Sequence, residues 1–122
     1  MSEKRPWGEF AVLHLGHGFK VKRLLVAPGG RLSLQSHQHR SEHWTVVSGI
    51  ATVIVGDHTR CLAPGGAIDV PLGARHRLEN KGETPLELIE IQFGDILSED
   101  DITRYEDAYG RCGSASLTGS PR

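Results

Sequence analysis

Short runs rich in Val, Leu, Ile and Phe recur along the chain, and clusters of Gly, Pro, Asn and Asp separate them, a pattern of apolar runs and turn residues that predicts β-strands. Glu9 to His14 and Phe19 to Ala27 are rich in Val, Leu and Phe, with Gly16 and Gly18 between them, which reads as a hairpin. The series continues over Leu32 to His37, Glu42 to Ser48, Ala51 to Val55, Arg60 to Leu62, Ala67 to Val70, His76 to Glu79 and Leu86 to Phe93. Pro-Gly-Gly, Ser-Gly, Gly-Asp, a second Pro-Gly-Gly, Leu-Gly and Lys-Gly punctuate it. Many short strands at regular turn spacing predict an all-β sandwich or barrel. Upstream, Arg5-Pro6-Trp7-Gly8 reads as an extended or turning approach, because proline disfavours helix in the residue before it.

The pattern changes after Gly94. Ser98, with Asp101 three residues later, has the spacing of an N-terminal capping box, and Glu99, Asp100 and Asp101 place negative charge where a helix dipole favours it. A short C-terminal helix is expected from Ser98 to about Tyr109. From Gly113 onward the chain is small and polar with nothing to bury, so residues 113–122 are expected to form a flexible tail. A chain of 122 residues then holds one domain, 1–112.

With 14 Lys and Arg against 15 Asp and Glu, and seven scattered histidines, no basic face argues for nucleic acid or an anionic membrane. A small-molecule partner is expected. The longest apolar runs, Leu24 to Ala27 and Val53 to Val55, fall far short of the roughly 20 residues that span a bilayer, and the N-terminus lacks a signal-peptide core. A cytoplasmic location follows as the default expectation. Cys61 and Cys112 form no CxxC pair and are expected to be free thiols, although spacing alone does not exclude a bond between them.

Two segments carry a stricter spacing. Gly29 is followed after five residues by Gln35, then by His37 two further on, Glu42 after four intervening residues and Gly49 after six. The second segment runs Gly65, five residues, Pro71, one, Gly73, two, His76, three, Asn80. This resembles the double motif of the cupins, metal-binding jelly-roll barrels built as a double-stranded β-helix, with glutamine where the first histidine usually stands. The spacing has a physical reason. Residues two apart on a strand share a face, so Gln35 and His37 can point together into a barrel, with Glu42 on the returning strand and His76 on a later one. Glycines at 29, 49, 65 and 73 suit tight turns, and Pro71 fixes φ in the loop before the last ligand.

Gln35, His37, Glu42 and His76 would give two imidazoles, one carboxylate and one amide oxygen, a set that suits one divalent ion. Zinc is the first choice, with manganese, iron, cobalt and nickel open. A set using His37 with His39 is the alternative, but it shortens the gap to Glu42 and lengthens the gap from the preceding glycine. His14, His17 and His58 sit at strand ends and turns and receive no role. Trp44 alternates with Glu42 and Val46, which favours barrel core over stacking on a sugar.

Beyond the barrel motif, Arg5-Pro-Trp-Gly, Gly18-Phe-Lys-Val-Lys22, Leu32 to Trp44, His76-Arg-Leu-Glu-Asn80 and Glu99 to Arg111 closely resemble type II mannose-6-phosphate isomerases. In that family the domain commonly forms the C-terminal part of a bifunctional protein whose N-terminal part is a mannose-1-phosphate guanylyltransferase. This chain lacks a glycine-rich nucleotidyltransferase loop, so guanylyl transfer is not expected. The Ser33-Leu-Gln35-Ser-His37 stretch is also similar to the zinc-binding segment of the type I isomerases, and carrying that pattern over gives the same Gln35, His37, Glu42 and His76. The resemblance implies interconversion of mannose 6-phosphate and fructose 6-phosphate through an enediol or enediolate, with a metal polarising the carbonyl and one base shuttling a proton.

For that base, Glu90 alternates with Leu88 and Gln92 on the last long strand and can face the pocket, with His43 and His39 as alternatives. Lys22, Arg40, Arg77 and Arg111 are the candidates for holding the phosphate, since guanidinium and ammonium groups match its oxygens. Two rival functions remain open: a non-catalytic sugar-phosphate-binding cupin and a cupin iron dioxygenase. A homodimer formed through an edge strand or apolar face is expected.

Overall fold

The computed structural model describes residues 2–106, and among them the regular structure is eleven strands with no helix. In chain order these are β1 (Ser2–Arg5), β2 (Gly8–Gly16), β3 (Phe19–Val26), β4 (Leu34–Ser36), β5 (Ser41–Ser48), β6 (Ala51–Val55), β7 (His58–Leu62), β8 (Ala67–Val70), β9 (His76–Glu79), β10 (Leu86–Phe93) and β11 (Thr103–Glu106). They form two antiparallel sheets, ordered β1-β2-β3-β10-β5-β8 and β11-β4-β9-β6-β7. This is the expected all-β jelly-roll architecture.

Period-two alternation decides what each strand sends inward. On β3, Lys20, Lys22, Leu24 and Val26 are buried, and on β10, Leu86, Leu88, Glu90 and Gln92 are. Register stacks like with like: Val26 faces Leu86 and Leu24 faces Leu88, whereas Lys22 faces Glu90 and Lys20 faces Gln92. β5 continues the division, with Val46 beside Leu88, Trp44 beside Glu90 and Glu42 beside Gln92. One end of the interior is therefore an apolar core that also holds Trp7, Phe10, Val53, Leu62, Val70 and Leu78. The other end is polar.

Turns fix these registers. Gly49 joins β5 to β6 at φ +86°, where a side chain would be strained, and a Cβ there would also press on the Pro85 carbonyl at 2.8 Å. Pro71 to Ala74 closes a turn through Ala74 N–H to Pro71 O (3.1 Å) with Gly73 at φ 78°, delivering the chain to His76 at the start of β9.

The helix expected from Ser98 is not formed as far as Glu106, and residues beyond that, including the expected tail, lie outside the described residues. Ser98 Oγ accepts from Asp100 N–H (3.0 Å), and Ser98 O accepts from Asp101 N–H (3.1 Å), which makes an isolated turn. The Asp101 carboxylate caps no helix. It accepts instead from the backbone N–H groups of Gln38 (3.0 Å) and His39 (2.9 Å), and the chain then extends as β11 along β4. Local capping chemistry was spent on a distant loop.

Candidate functional site

His37 follows β4, Glu42 lies on β5 and His76 opens β9, so three separate segments bring them together. All three are buried, and their donor atoms lie within 4.8 Å of one another. His37 Nε2 stands 3.3 Å from Glu42 Oε2, and His76 Nε2 stands 3.9 Å from Glu42 Oε1. Each imidazole is oriented from behind, since Nδ1 of His37 meets the Asp101 carbonyl at 2.6 Å and Nδ1 of His76 meets the Ala74 carbonyl at 3.0 Å. A carbonyl can only accept, so these contacts put the protons on Nδ1 and turn the Nε2 lone pairs toward Glu42. Burial, followed by the Arg40 charge, lowers the His37 pKa to about 4, and burial likewise lowers that of His76. Two neutral imidazoles beside a carboxylate are a donor set that fits a divalent ion.

Glu42 is fixed on both oxygens. Trp44 Nε1–H donates to Oε1 (2.9 Å) and Arg40 Nε–H to Oε2 (2.8 Å), while Arg40 Nη2 donates to His37 Nε2 (3.1 Å). Trp44 is core, as expected, and its indole also holds a candidate ligand. Gln35 on β4 is the register partner of His76 and lines the same cavity, with its amide nitrogen donating to Ser33 O (3.3 Å) and Oγ (3.2 Å).

The cavity, about 100 Å³, is lined by His37, Glu42, His76 and Glu90 together with Lys22, Arg40, Arg77 and Glu99. Burial first, then the charge and hydrogen bond of Glu42, push the Glu90 pKa up to about 8, and the Lys22 ammonium at 3.9 Å does not offset them. Lys22 Nζ also sits 3.9 Å from the centre of the Phe10 ring.

The structure does not bring every expected residue here. His43 lies on the opposite face of β5, where Nδ1 meets Asp69 Oδ1 at 2.7 Å and its neighbour Thr45 stands beside Nε2, so the parity of the strand removes it from the cavity. His39 is exposed in the loop and does not join the cluster, against the alternative ligand set. Lys22, Arg40 and Arg77 line the cavity, and Arg111 lies outside the described residues, as does Cys112. Cys61 is an exposed free thiol.

Two residues were missed. Lys20 Nζ donates to Leu97 O (2.7 Å) and Glu99 Oε2 (3.4 Å), and Glu99 also takes Lys22 at 3.1 Å. Lys20 was legible, because it shares a strand face with Lys22, Leu24 and Val26. Glu99 was not, since it lies in an irregular segment where no period applies.

Residues 2–107 match the family model described as Mannose-6-phosphate isomerase C-terminal. The chain belongs to this family. Within it, the chain is 54% identical over 107 residues to "Xanthan biosynthesis protein XanB" of Xanthomonas campestris pv. campestris (strain B100), covering 88% of this chain and 23% of that protein. It is 50% identical over 113 residues to "Alginate biosynthesis protein AlgA" of Pseudomonas aeruginosa, covering 93% and 24%. It is 49% identical over 107 residues to "Mannose-1-phosphate guanylyltransferase ManC" of Salmonella typhimurium, covering 88% and 22%. The family domain thus spans less than a quarter of the length of these relatives. Among solved structures it is similar to KdgF from Halomonas sp. (TM-score 0.74, 17% identity, 82% of this chain and 91% of that one). An RmlC-like cupin from Shewanella frigidimarina is also similar (TM-score 0.72, 24% identity, 82% and 86%). At such identities the likeness is one of fold, and the fold is the cupin barrel. No helix of the described residues is long and apolar enough to cross a membrane.

Proposed function

We propose that the chain is an aldose–ketose isomerase that interconverts mannose 6-phosphate and fructose 6-phosphate with one divalent metal, zinc first among the candidates. The observation that carries the reading is a buried carboxyl of raised proton affinity, Glu90, in one cavity with the His37, Glu42 and His76 cluster. Family membership supports the sugar-phosphate substrate.

His37 and His76 would hold the ion through Nε2 and Glu42 through a carboxylate oxygen, with the Gln35 carbonyl oxygen as a fourth donor. A divalent ion bound there would supply Lewis acidity that polarises the substrate carbonyl. Glu90 takes the proton from C2 of the aldose, leaving an enediolate. It returns that proton to C1, while the hydrogen on O2 passes to O1 and the carbonyl forms at C2. Burial raises the proton affinity of Glu90, and a carboxyl so tuned both accepts and returns a proton more readily than a free one. Arg40 and Trp44 keep Glu42 oriented, and the cationic lining favours an anionic substrate.

The test incubates purified, metal-loaded protein with mannose 6-phosphate and measures fructose 6-phosphate. Turnover well above a chelator-treated control is expected. Saturable sugar-phosphate binding with no turnover would replace the isomerase reading with a binding protein.

A further inference from the structure

We propose that Lys20, Lys22 and Arg40 form a phosphomonoester site and that the Glu99 carboxylate, carried on the segment 97–101, holds this site until the dianionic group displaces it. The inference deepens the isomerase reading and rests on it for the sugar, but not for the anion.

Three observations carry it. Lys20 and Lys22 are only 9% and 5% exposed, a costly position for ammonium groups unless an anion meets them. Their main acceptors come from one short segment: Leu97 O and Glu99 Oε2 for Lys20, and both Glu99 oxygens, at 3.1 and 3.3 Å, for Lys22. Arg40 Nη1 reaches the same segment at Ser98 O, 3.3 Å away. A single half-exposed carboxylate therefore serves two buried cations, and a phosphate dianion offers them more charge and more oxygens.

The segment is also built to move. It lies between the end of β10 at Phe93 and the start of β11 at Thr103, outside either sheet ladder. Its ends are pinned, at Gly94, where a Cβ would overlap the His39 carbonyl, and at Asp101, which accepts from Gln38 and His39. Between those pins its hold on the barrel is mainly electrostatic.

Size and position agree. A cavity of about 100 Å³ is smaller than the roughly 300 Å³ at the low end of small-ligand pockets, so a hexose phosphate needs the space that Glu99 fills. Lys22 stands between Glu99 and Glu90, at 3.1 and 3.9 Å, which puts the anion one side chain away from the proposed base. A phosphate on C6 requires such a separation from chemistry at C1 and C2.

The experiment titrates the full chain with inorganic phosphate, mannose 6-phosphate and mannose by calorimetry, comparing the parent with Glu99→Gln, Lys20→Met and the double variant. Glu99→Gln is expected to bind inorganic phosphate and mannose 6-phosphate about tenfold more tightly and mannose unchanged, with the gain lost in the double variant. Equal or weaker phosphate binding by Glu99→Gln, or a gain that survives Lys20→Met, overturns the proposal. A phosphate gain without isomerase turnover keeps the anion site and removes the reaction; turnover with no effect of Glu99 does the reverse.

Discussion

Leu86 and Leu88 at one end of β10, and Glu90 and Gln92 at the other, are all buried on the same face of the same strand, yet they are held in different ways. The leucines meet Val26, Leu24 and Val46 across the ladder and need only contact. Glu90 needs Glu42 and Lys22, Lys22 needs Glu99, Glu42 needs Trp44 and Arg40, and Arg40 touches His37. The Gln92 amide, fully buried, has no hydrogen-bond partner on either atom among the described residues. A dry end can be stabilised by area alone, whereas buried charges contribute little net stability even when well paired. The polar end therefore makes sense as chemistry supported by the apolar end.

Substitutions two residues apart on β10 should break the molecule differently. Glu90→Gln keeps shape and removes the carboxyl, so turnover should fall about 10²- to 10⁴-fold with a denaturant midpoint near that of the parent. Retained turnover would take the base role from Glu90. Leu88→Ala should do the opposite, lowering the unfolding free energy by about 2–5 kcal/mol through lost burial and a cavity, with urea melts as the measurement. At the boundary, Trp44→Phe removes the indole N–H from Glu42 while filling most of the core volume. It should cost about 1–3 kcal/mol and weaken metal retention in a competition with a chromogenic chelator.

The apolar end was legible almost entirely, because period-two alternation and turn residues are local signals. Ala51–Val55, Ala67–Val70, His76–Glu79 and Leu86–Phe93 have the expected bounds, and the glycines at 29, 49, 65 and 73 all hold positive φ. β1 was not legible, since Ser-Glu-Lys-Arg has no apolar face and is a strand only because β2 pairs with it. At the polar end, alternation with Leu88 and Gln92 let Glu90 face the cavity, and Glu90 is buried there. Arg40 and Glu99 lie outside the strands, where parity says nothing; Arg40 holds its near neighbours His37 and Glu42, and Glu99 meets Lys20 and Lys22 from nearly eighty residues away. Ser98 and Asp101 misled because a capping residue reads the same whether its carboxylate serves its own segment or one some sixty residues earlier.

Acid should loosen the Glu99 contacts by a small amount. Burial raises the Glu99 pKa, but the Lys22 charge and hydrogen bond, with Arg40 and Lys20, bring it below the usual carboxylate value. A depressed folded-state pKa means the contribution is present above pH 4.5 and lost as pH falls through the lower folded value. With the Glu99 side chain 43% exposed, this amounts to no more than about 1 kcal/mol, read as a stability gap between parent and Glu99→Gln that narrows as pH falls below 4.5.

The smallest effect should come from His43, the residue that parity turns away from the cavity. Its ion pair with Asp69 joins side chains that are 36% and 82% exposed, and such surface pairs contribute roughly 0–1 kcal/mol. Removing it leaves Glu42 and Trp44, on either side of it, in their inward positions, because register with β10 and β8 sets the strand. His43→Ala should therefore leave turnover within about twofold of the parent and the urea midpoint nearly unmoved, whereas Glu42→Ala, one residue away on the other face, should release the metal. A large loss of turnover in His43→Ala would mean that the division between the two faces of β5 does not mark the boundary of the site.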